Sequence, residues 1–239
     1  MRIYIVQMKP MTNFKQLYQQ IIDKIHFIGK KTTNNNKLVV FPELILQQFG
    51  NKLFKFLDLP TNFFNIFRTL AKLYNLYISI GLYTHQKLKY YNTTYIFSPY
   101  YYNPIIYNKL HLFPIENLGV LSLSPGNKLT TFYIDKYKIG IMTCYDLRFS
   151  SEIIKYRNLN CDIVIVPTAW IEKKNKPNEL INIAISVAKL GSMYICIANM
   201  TGKLDKLIWS GQSVIISPKG EILTQLNKNK QGIGYYNFN

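Results

Sequence analysis

Three strand-like apolar runs in this sequence each end close to a polar side chain that can take part in catalysis. The side chains are those of Glu43, Lys109 and Cys144. The runs before them span residues 38–42, 105–107 and 138–143, respectively. Active sites of layered α/β proteins collect at strand ends. The sequence therefore predicts an α/β fold in which a carboxylate, an ammonium and a thiol converge.

The surroundings of Cys144 predict a nucleophile elbow. An apolar run leads into this residue, and the polar residues Asp146 and Arg148 come directly after it, so the chain leaves the core there. A residue at a sharp turn between a strand and a helix presents its side chain outward, as the serine of a hydrolase elbow does. Cys161 and Cys196 lie inside apolar runs and are interpreted as small buried hydrophobic residues.

Glu43 and Lys109 are the candidate partners of the Cys144 thiol. A free cysteine with a pKa of about 8.5 is mostly protonated at neutral pH, so it needs a base or a cation beside it. Burial that raises the pKa of Glu43 would suit it to be the general base. Lys109 would favour the thiolate and bind the oxyanion, with the backbone N–H of Tyr145 as a second oxyanion donor.

Each of these residues also has an ordinary structural interpretation. A single glutamate after Phe-Pro is usually a turn or cap residue, and a single lysine after a strand is usually solvated. Their occurrence together with the cysteine elbow favours a catalytic set.

Hydrophobic periodicity predicts one α/β domain over residues 1–239, with two sheets and helices on the outside. Apolar residues at helical spacing predict helices at 14–29, 62–74 and 178–190, and a further helix that begins at 152. Predicted strands lie at 2–7, 38–41, 76–83, 93–97, 102–107, 132–135, 138–142, 162–167, 194–199, 213–216, 222–226 and 232–236. Strands 132–135 and 138–142 are predicted to form a hairpin across residues 136–137.

Several segments resemble the signature blocks of the nitrilase superfamily, the carbon–nitrogen hydrolases. These are Phe41-Pro42-Glu43, Lys109-Leu110-His111-Leu112-Phe113 and Cys144-Tyr145-Asp146-Leu147-Arg148-Phe149, with linking segments at 124–126, 211–213 and 217–223. The resemblance covers nearly the whole chain and implies an α-β-β-α sandwich, a Glu-Lys-Cys catalytic triad, a thioester intermediate, no cofactor and a homodimer. It also implies a second glutamate after the lysine block, which Glu116 matches loosely; the alternative for Glu116 is a solvated loop acid.

Composition bears on the other classes of function. The net charge of +17 is compatible with nucleic-acid binding. However, the basic residues form no long block, and only Arg2, Arg68, Arg148 and Arg157 carry guanidinium groups, so no nucleic-acid partner is predicted. The sequence shows no spacing typical of a metal site and no Cys-x-x-Cys pair. It contains no apolar run long enough to span a bilayer, so we expect a cytoplasmic protein without a membrane partner.

The predicted activity is that of a cysteine-dependent amidase. The block around Cys144 looks most like the ω-amidase and deaminated-glutathione amidase branch, which implies a small amide that carries a carboxylate or a keto acid. Trp170 and Tyr145 are the predicted substrate-binding residues. The chain departs from the family pattern at Ser150-Ser151, at residues 187–191 and in its short C-terminal end. The alternative is therefore a catalytically degraded scaffold or binding protein of the same fold.

Overall fold

The computed structural model describes residues 1–31, 36–47, 59–117, 123–173, 175–176 and 178–239, apart from the side chains of residues 115 and 117. The first sheet contains β1 (Arg2–Gln7), β2 (Lys37–Val40), β3 (Leu76–Gln86), β4 (Lys89–Phe97), β5 (Ile105–Asn108) and β14 (Gly232–Asn237). The second contains β6 (Thr131–Ile134), β7 (Tyr137–Ile141), β8 (Ile163–Thr168), β9 (Tyr194–Asn199), β12 (Val214–Ile216) and β13 (Ile222–Gln225). The strands β10 (Thr201–Leu204) and β11 (Leu207–Ser210) form a separate hairpin.

Four α-helices cross between parallel neighbours in these sheets. They are α1 (Phe14–Gly29), α2 (Phe63–Tyr74), α3 (Ser150–Asn158) and α4 (Glu179–Gly191). The strands run in the order β14-β1-β2-β3-β4-β5 in the first sheet and β13-β12-β9-β8-β7-β6 in the second. The pairs β1–β2, β2–β3, β7–β8 and β8–β9 are parallel, so each needs the helical crossover that joins it. The remaining pairs are antiparallel.

Three buried apolar clusters show that the layers follow the order helix, sheet, sheet, helix. On β1, Ile3 and Ile5 belong to the cluster between the sheets, whereas Tyr4 and Val6 belong to the cluster under α1 and α2. The strands of the second sheet alternate in the same way between the central cluster and the cluster under α3 and α4. Strands that are buried on both faces read as continuous apolar runs. The predicted α-β-β-α sandwich is confirmed.

The helices present one apolar face to the sheets, as their spacing predicts. Leu17, Ile21, Ile25 and Ile28 of α1 are all buried, and Asn13 caps the helix by accepting a hydrogen bond from the backbone N–H of Gln16. Within the described residues, no helix is long and apolar enough to cross a membrane.

Several predicted boundaries differ from the structure. Strands β3 and β4 extend further and form a long hairpin around Lys87, and β5 begins only at Ile105, because Pro104 has no N–H to donate to a ladder. The β6–β7 turn lies one residue earlier than predicted, with Asp135 at a φ of 53°. The β10–β11 hairpin was not predicted; its strands are short and lack the alternation that marks a half-buried strand.

The departures from the family pattern do not interrupt the elements that contain them. Ser150 begins α3, two residues before the predicted start. Residues 187–191 complete the last turn of α4, which is capped by Ser192 in a left-handed conformation. The side chains of Met193 and Ile153 pack closely against Gly191, so a Cβ at this position would require the Met193 side chain to shift.

A buried amide joins the first strand to the C-terminal part of the chain. The side chain of Gln7 accepts hydrogen bonds from the N–H and the hydroxyl of Ser213, at 2.8 and 2.9 Å. It donates to the carbonyls of Asn227 and Lys230 at 2.6 and 2.7 Å. All hydrogen-bonding atoms of one side chain are thus used to hold the two ends of the fold together.

Replacing Gln7 with leucine tests this connection. Gln7→Leu preserves the volume but leaves the two buried donors of Ser213 without an acceptor, at about 1–3 kcal/mol each. We expect the free energy of unfolding, measured in urea, to fall by about 2–4 kcal/mol. The control is Gln16→Leu on the exposed face of α1, which should change stability by less than about 0.5 kcal/mol. Equal stability of the two variants would contradict the assignment.

Candidate active site

The predicted catalytic residues lie at the ends of strands from both sheets. Glu43 follows β2 and Lys109 directly follows β5, both in the first sheet, whereas Cys144 follows β7 in the second. The backbone N–H of Glu43 donates to the carbonyl of Thr168 at 3.3 Å, which ties the first sheet to β8 of the second. The site therefore forms where the two sheets of the sandwich end side by side.

Cys144 occupies a strained elbow, as its sequence surroundings predict. Its φ is 47°, in the left-handed region that residues with a Cβ rarely adopt. It begins a short 3-10 helix, Cys144–Arg148, in which Asp146 and Thr143 form a reciprocal capping box. Asp146 further accepts hydrogen bonds from the Tyr107 hydroxyl at 2.7 Å and the His111 N–H at 2.8 Å. These bonds hold the elbow against β5 and the segment after it.

Glu43 has a comparable local arrangement. Leu44, directly after it, has a φ of 46°. The backbone of this turn lies so close to Gly81 on β3 that a Cβ at Gly81 would come within 2.9 Å of the Leu44 nitrogen. The close approach places the Glu43 side chain fully inside the protein.

A buried ammonium connects two buried carboxylates at the centre of the site. Nζ of Lys109 lies 2.8 Å from Oε1 of Glu43 and 2.7 Å from Oε2 of Glu116, and all three side-chain ends are shielded from solvent. Glu116 lies in a second 3-10 helix, Pro114–Asn117, and also accepts a hydrogen bond from the N–H of Phe113 at 2.7 Å. The solvated-loop interpretation of Glu116 is therefore wrong, because it is 5% exposed.

The charges in this cluster shift the pKa of each catalytic candidate. Burial raises the pKa of Glu43; the Lys109 charge opposes this effect and the Glu116 charge adds to it. Burial by itself would lower the pKa of Lys109, but the charges of Glu43 and Glu116 raise it well above its ordinary value. Lys109 is therefore a permanent ammonium at physiological pH.

The Cys144 thiol lies beside this cluster. Glu43 and the backbone of Ala169 are close enough to act on its pKa. Burial and the negative charge of Glu43 raise the pKa of Cys144 well above its ordinary value, although Lys109 opposes them. Lys109 favours the thiolate, as expected, but burial and Glu43 outweigh it, so the resting group is a neutral thiol near a carboxylate that can accept its proton.

A small pocket, with a cavity volume of about 40 Å³, lies beside the thiol. Both predicted substrate-binding residues, Tyr145 and Trp170, line it, together with Lys109, Phe113, Cys144, Arg148, Ala169, Ile171, Lys173 and Glu179. The backbone N–H of Trp170 donates to the side chain of Asn199 at 2.9 Å, which fixes this wall of the pocket.

Sequence reasoning missed two residues at the site. The guanidinium of Arg148 pairs with Glu179 at 2.7 Å and lies 4.8 Å from the ring centroid of Trp170, inside the pocket. Arg148 follows Cys144 by about one turn of a short helix, and this spacing could have predicted that the two side chains lie at the same site. Asn92, on β4, donates from Nδ2 to Glu43 and to Glu116, at 2.8 Å each. Asn92 lies near the start of a predicted strand, and nothing in the sequence around it indicates that it belongs to the site.

Across the ranges that the structure describes, no group of three or more His, Cys, Asp or Glu side chains is arranged to hold a metal ion.

Comparison with known proteins identifies the family. The family model described as carbon-nitrogen hydrolase matches residues 2–239. The chain belongs to the carbon-nitrogen hydrolase family. Omega-amidase NIT2 of Homo sapiens is 27% identical over 210 residues, which cover 83% of this chain and 75% of that protein. The predicted resemblance to the nitrilase superfamily is confirmed.

Solved structures share the fold of this carbon-nitrogen hydrolase. The NitN amidase of a Nesterenkonia species superposes with a TM-score of 0.85 at 17% identity, over 100% of this chain and 93% of that one. Glutamine-dependent NAD+ synthetase from Acinetobacter baumannii gives a TM-score of 0.82 at 21% identity, over 98% of this chain but only 44% of that one. These identities support the shared architecture.

Removing the central ammonium should destabilise the fold in a pH-dependent way. Lys109→Met leaves two buried carboxylates without their cation, and breaking a buried pair in this way costs about 3–5 kcal/mol. Without Lys109, the pKa of Glu43 rises further, so the folded state binds a proton that the unfolded state has already released. The free energy of unfolding of the variant should therefore increase as the pH falls from neutral to mildly acidic.

Urea unfolding at several pH values measures this effect. The control is Lys155→Met, which removes an ion pair to Glu152 from a lysine that is 58% exposed and should cost less than about 1 kcal/mol. A Lys109→Met variant whose stability deficit is the same at every pH would argue against the two-carboxylate cluster.

Cys144 should be the cysteine that iodoacetamide modifies first in the native protein. Cys144 lines the pocket near the Glu43 carboxylate, whereas Cys161 and Cys196 are buried and do not line this pocket. Peptide mapping after brief labelling provides the measurement, and the unfolded protein provides the control in which all three cysteines react. Faster labelling of Cys161 or Cys196 in the native state would contradict the assignment.

Proposed function

We propose that this carbon-nitrogen hydrolase is an amidase that uses Cys144 as its nucleophile and forms a thioester intermediate. The observation that carries the proposal is the position of the Cys144 thiol near the buried Glu43 carboxylate, which Lys109 binds, at a pocket that Cys144 and Lys109 line. Nucleophile, base and cation are the three groups that acyl transfer from an amide needs.

In the first step, Sγ of Cys144 attacks the carbonyl carbon of the amide and Glu43 accepts the thiol proton. The carbonyl π electrons move to oxygen, and two groups stabilise the resulting oxyanion. An ammonium has three N–H donors, and Lys109 uses two on Glu43 and Glu116, so the third is free for the oxyanion. The N–H of Tyr145, the residue after the nucleophile, is the second donor.

The intermediate then collapses and the C–N bond breaks. Glu43 returns its proton to the nitrogen, which leaves as ammonia or an amine, and the acyl group remains on Cys144 as a thioester. In the second half, a water molecule gives a proton to Glu43 and attacks the thioester. The C–S bond breaks, Cys144 recovers a proton and the carboxylic acid departs.

Glu116 supports this chemistry without touching the reacting atoms. Its two oxygens accept hydrogen bonds from Lys109, Asn92 and the N–H of Phe113. These bonds fix the ammonium where the oxyanion forms. Preorganised donors of this kind need no rearrangement at the moment of reaction.

The pocket favours a small amide with an anionic group, as the family resemblance implies. Phe113, Trp170 and Ile171 provide apolar walls, and Arg148 and Lys173 line the pocket with positive charge. Glu179 neutralises part of that charge through its pair with Arg148. The similarity to a protein named omega-amidase supports the same substrate class, a carboxylate- or keto-acid-bearing amide. The expected homodimer and the expected cytoplasmic location stay predictions.

Replacing the base tests the mechanism. Glu43→Gln keeps the shape of the side chain but cannot accept a proton, so we expect kcat for a small amide to fall by at least about a hundredfold. Because both half-reactions need the base, mass spectrometry should detect the substrate acyl group on Cys144 in this variant. Glu221→Gln, at a glutamate in the turn before β13, serves as the matched control and should retain full activity.

Two outcomes would contradict the proposal in different ways. Turnover that persists at the wild-type rate in Cys144→Ala would exclude the thioester route. A wild-type protein that hydrolyses none of a panel of small ω-amides and keto-acid amides would instead support the degraded-scaffold alternative.

A further inference from the structure

Asn92 holds both glutamates of the site with one amide group. Its Nδ2 lies 2.8 Å from Oε1 of Glu43 and 2.8 Å from Oε1 of Glu116, so each of its two hydrogens goes to a different carboxylate. Its backbone carbonyl accepts the N–H of Lys109 at 2.9 Å. Asn92 is 1% exposed, and it is absent from the residues that line the pocket.

The orientation of this amide is determined by its neighbours. The reversed amide would place Oδ1 at hydrogen-bond distance from two carboxylate oxygens and would repel both. In the orientation present, Oδ1 has no hydrogen-bond partner among the described residues. A buried unpaired oxygen is unfavourable, and the two hydrogen bonds that Nδ2 donates to the carboxylates offset that cost. This arrangement is understandable if the two donated hydrogen bonds serve the chemistry of the site.

Two neighbouring buried carboxylates ordinarily share a proton, because both cannot remain charged at short range. Here the positions between them are occupied by donors. Lys109 bridges Oε1 of Glu43 and Oε2 of Glu116, and Asn92 bridges the two Oε1 atoms. Hydrogen bonds to a charged carboxylate favour its ionised form. Oε1 of Glu43 accepts from both Lys109 and Asn92, so a proton bound to that atom would have to displace one of these hydrogen bonds.

We propose that Asn92 is a positioning residue that keeps Glu43 available as the ionised base by donating one N–H to each carboxylate. The inference rests on the proposed amidase function for its catalytic meaning, but the ionisation of the two glutamates can be measured without any substrate. Asn92 touches no reacting atom. It acts by preventing Glu43 and Glu116 from sharing a proton.

Other titratable groups also face Glu43 and Glu116 and influence how readily Glu43 ionises. Lys109 supplies the positive charge, Asp146 lies near Lys109, and Cys144 lies near Glu43. Tyr83, on β3, also faces the glutamates; burial and then their charges raise its pKa, so it stays neutral. These groups are the same in every variant compared below.

The test is a titration of the protein labelled with 13C at the glutamate side-chain carboxyl. The chain has six glutamates, and Glu43→Gln and Glu116→Gln assign the two resonances of interest. In Asn92→Leu, we expect the protonation midpoint of Glu43 to move upward by about one pH unit or more, because a hydrogen bond to a charged group changes an equilibrium constant by at least about tenfold. Asn92→Asp keeps the shape, replaces the donor with an acceptor, and should also shift the midpoint upward if the leucine variant does not fold.

The matched control is Thr93→Val, on the same strand. Thr93 is fully buried and its hydroxyl bonds Thr84 at 2.6 Å and Asn108 at 2.7 Å, so the variant loses two buried hydrogen bonds away from the carboxylates. It should leave the Glu43 midpoint within about 0.3 pH unit of the wild type while losing comparable stability. If the Asn92 variants behave like Thr93→Val in this titration, the proposal is overturned.

Kinetics separate the proposal from the amidase function itself. In Asn92→Leu, the acid limb of the kcat/KM profile should shift to higher pH together with the Glu43 midpoint. KM should stay within about twofold of the wild-type value, because Asn92 does not line the pocket. Raising the pH should restore much of the lost rate. A uniform loss of rate at all pH values would indicate structural damage and contradict the positioning role. If the midpoint shifts but the wild type hydrolyses no amide, the amidase function fails and the role of Asn92 in the cluster stands.

Discussion

The buried ammonium of Lys109 is the interaction on which the candidate site depends. Three ionisable groups without solvent around them are tolerated only because the cation lies within 2.8 Å of both anions. Each of the three comes from a different segment: the turn after β2, the end of β5 and a short 3-10 helix. The cluster therefore holds three separate segments of the chain together at the candidate site. The contacts that bind these segments together also fix the positions of the proposed base and the proposed oxyanion donor.

The rest of the fold brings the thiol to this cluster. Cys144 belongs to the second sheet, and its left-handed backbone aims the side chain toward the groups of the first. Asp146 stabilises that elbow through hydrogen bonds with Tyr107 and His111, so the nucleophile and the segment that carries Lys109 form one hydrogen-bonded unit. A strained residue at an active site is held in place by its surroundings in this way. Since burial and Glu43 keep Cys144 neutral at rest, its activation depends on how readily Glu43 takes a proton.

Much of this arrangement follows from the sequence, and the misses have identifiable causes. Continuous apolar runs predicted the buried strands of both sheets, and helical spacing predicted α1, α2 and α4 to within about one residue. The β10–β11 hairpin was missed because short strands with mixed faces have no clear period. Glu116 was ambiguous because the same loop glutamate can be solvated or buried, and only its contact with Lys109 decides between the two. Asn92 gave no signal, since its role arises from two partners that are distant in the chain.

The sequence by itself determined the class of fold, the order of the elements and the identity of the three groups proposed to do the chemistry. Those features depend on local periodicity and on residue types at strand ends, which can be read along one chain. The tertiary structure decided which neighbours those groups have, and therefore their charge states. It buried Glu43 and Glu116 on either side of one lysine, placed Asn92 between them and paired Arg148 with Glu179 at the pocket. Electrostatic energies depend on distance and on exclusion of water, and neither is specified before the two sheets meet.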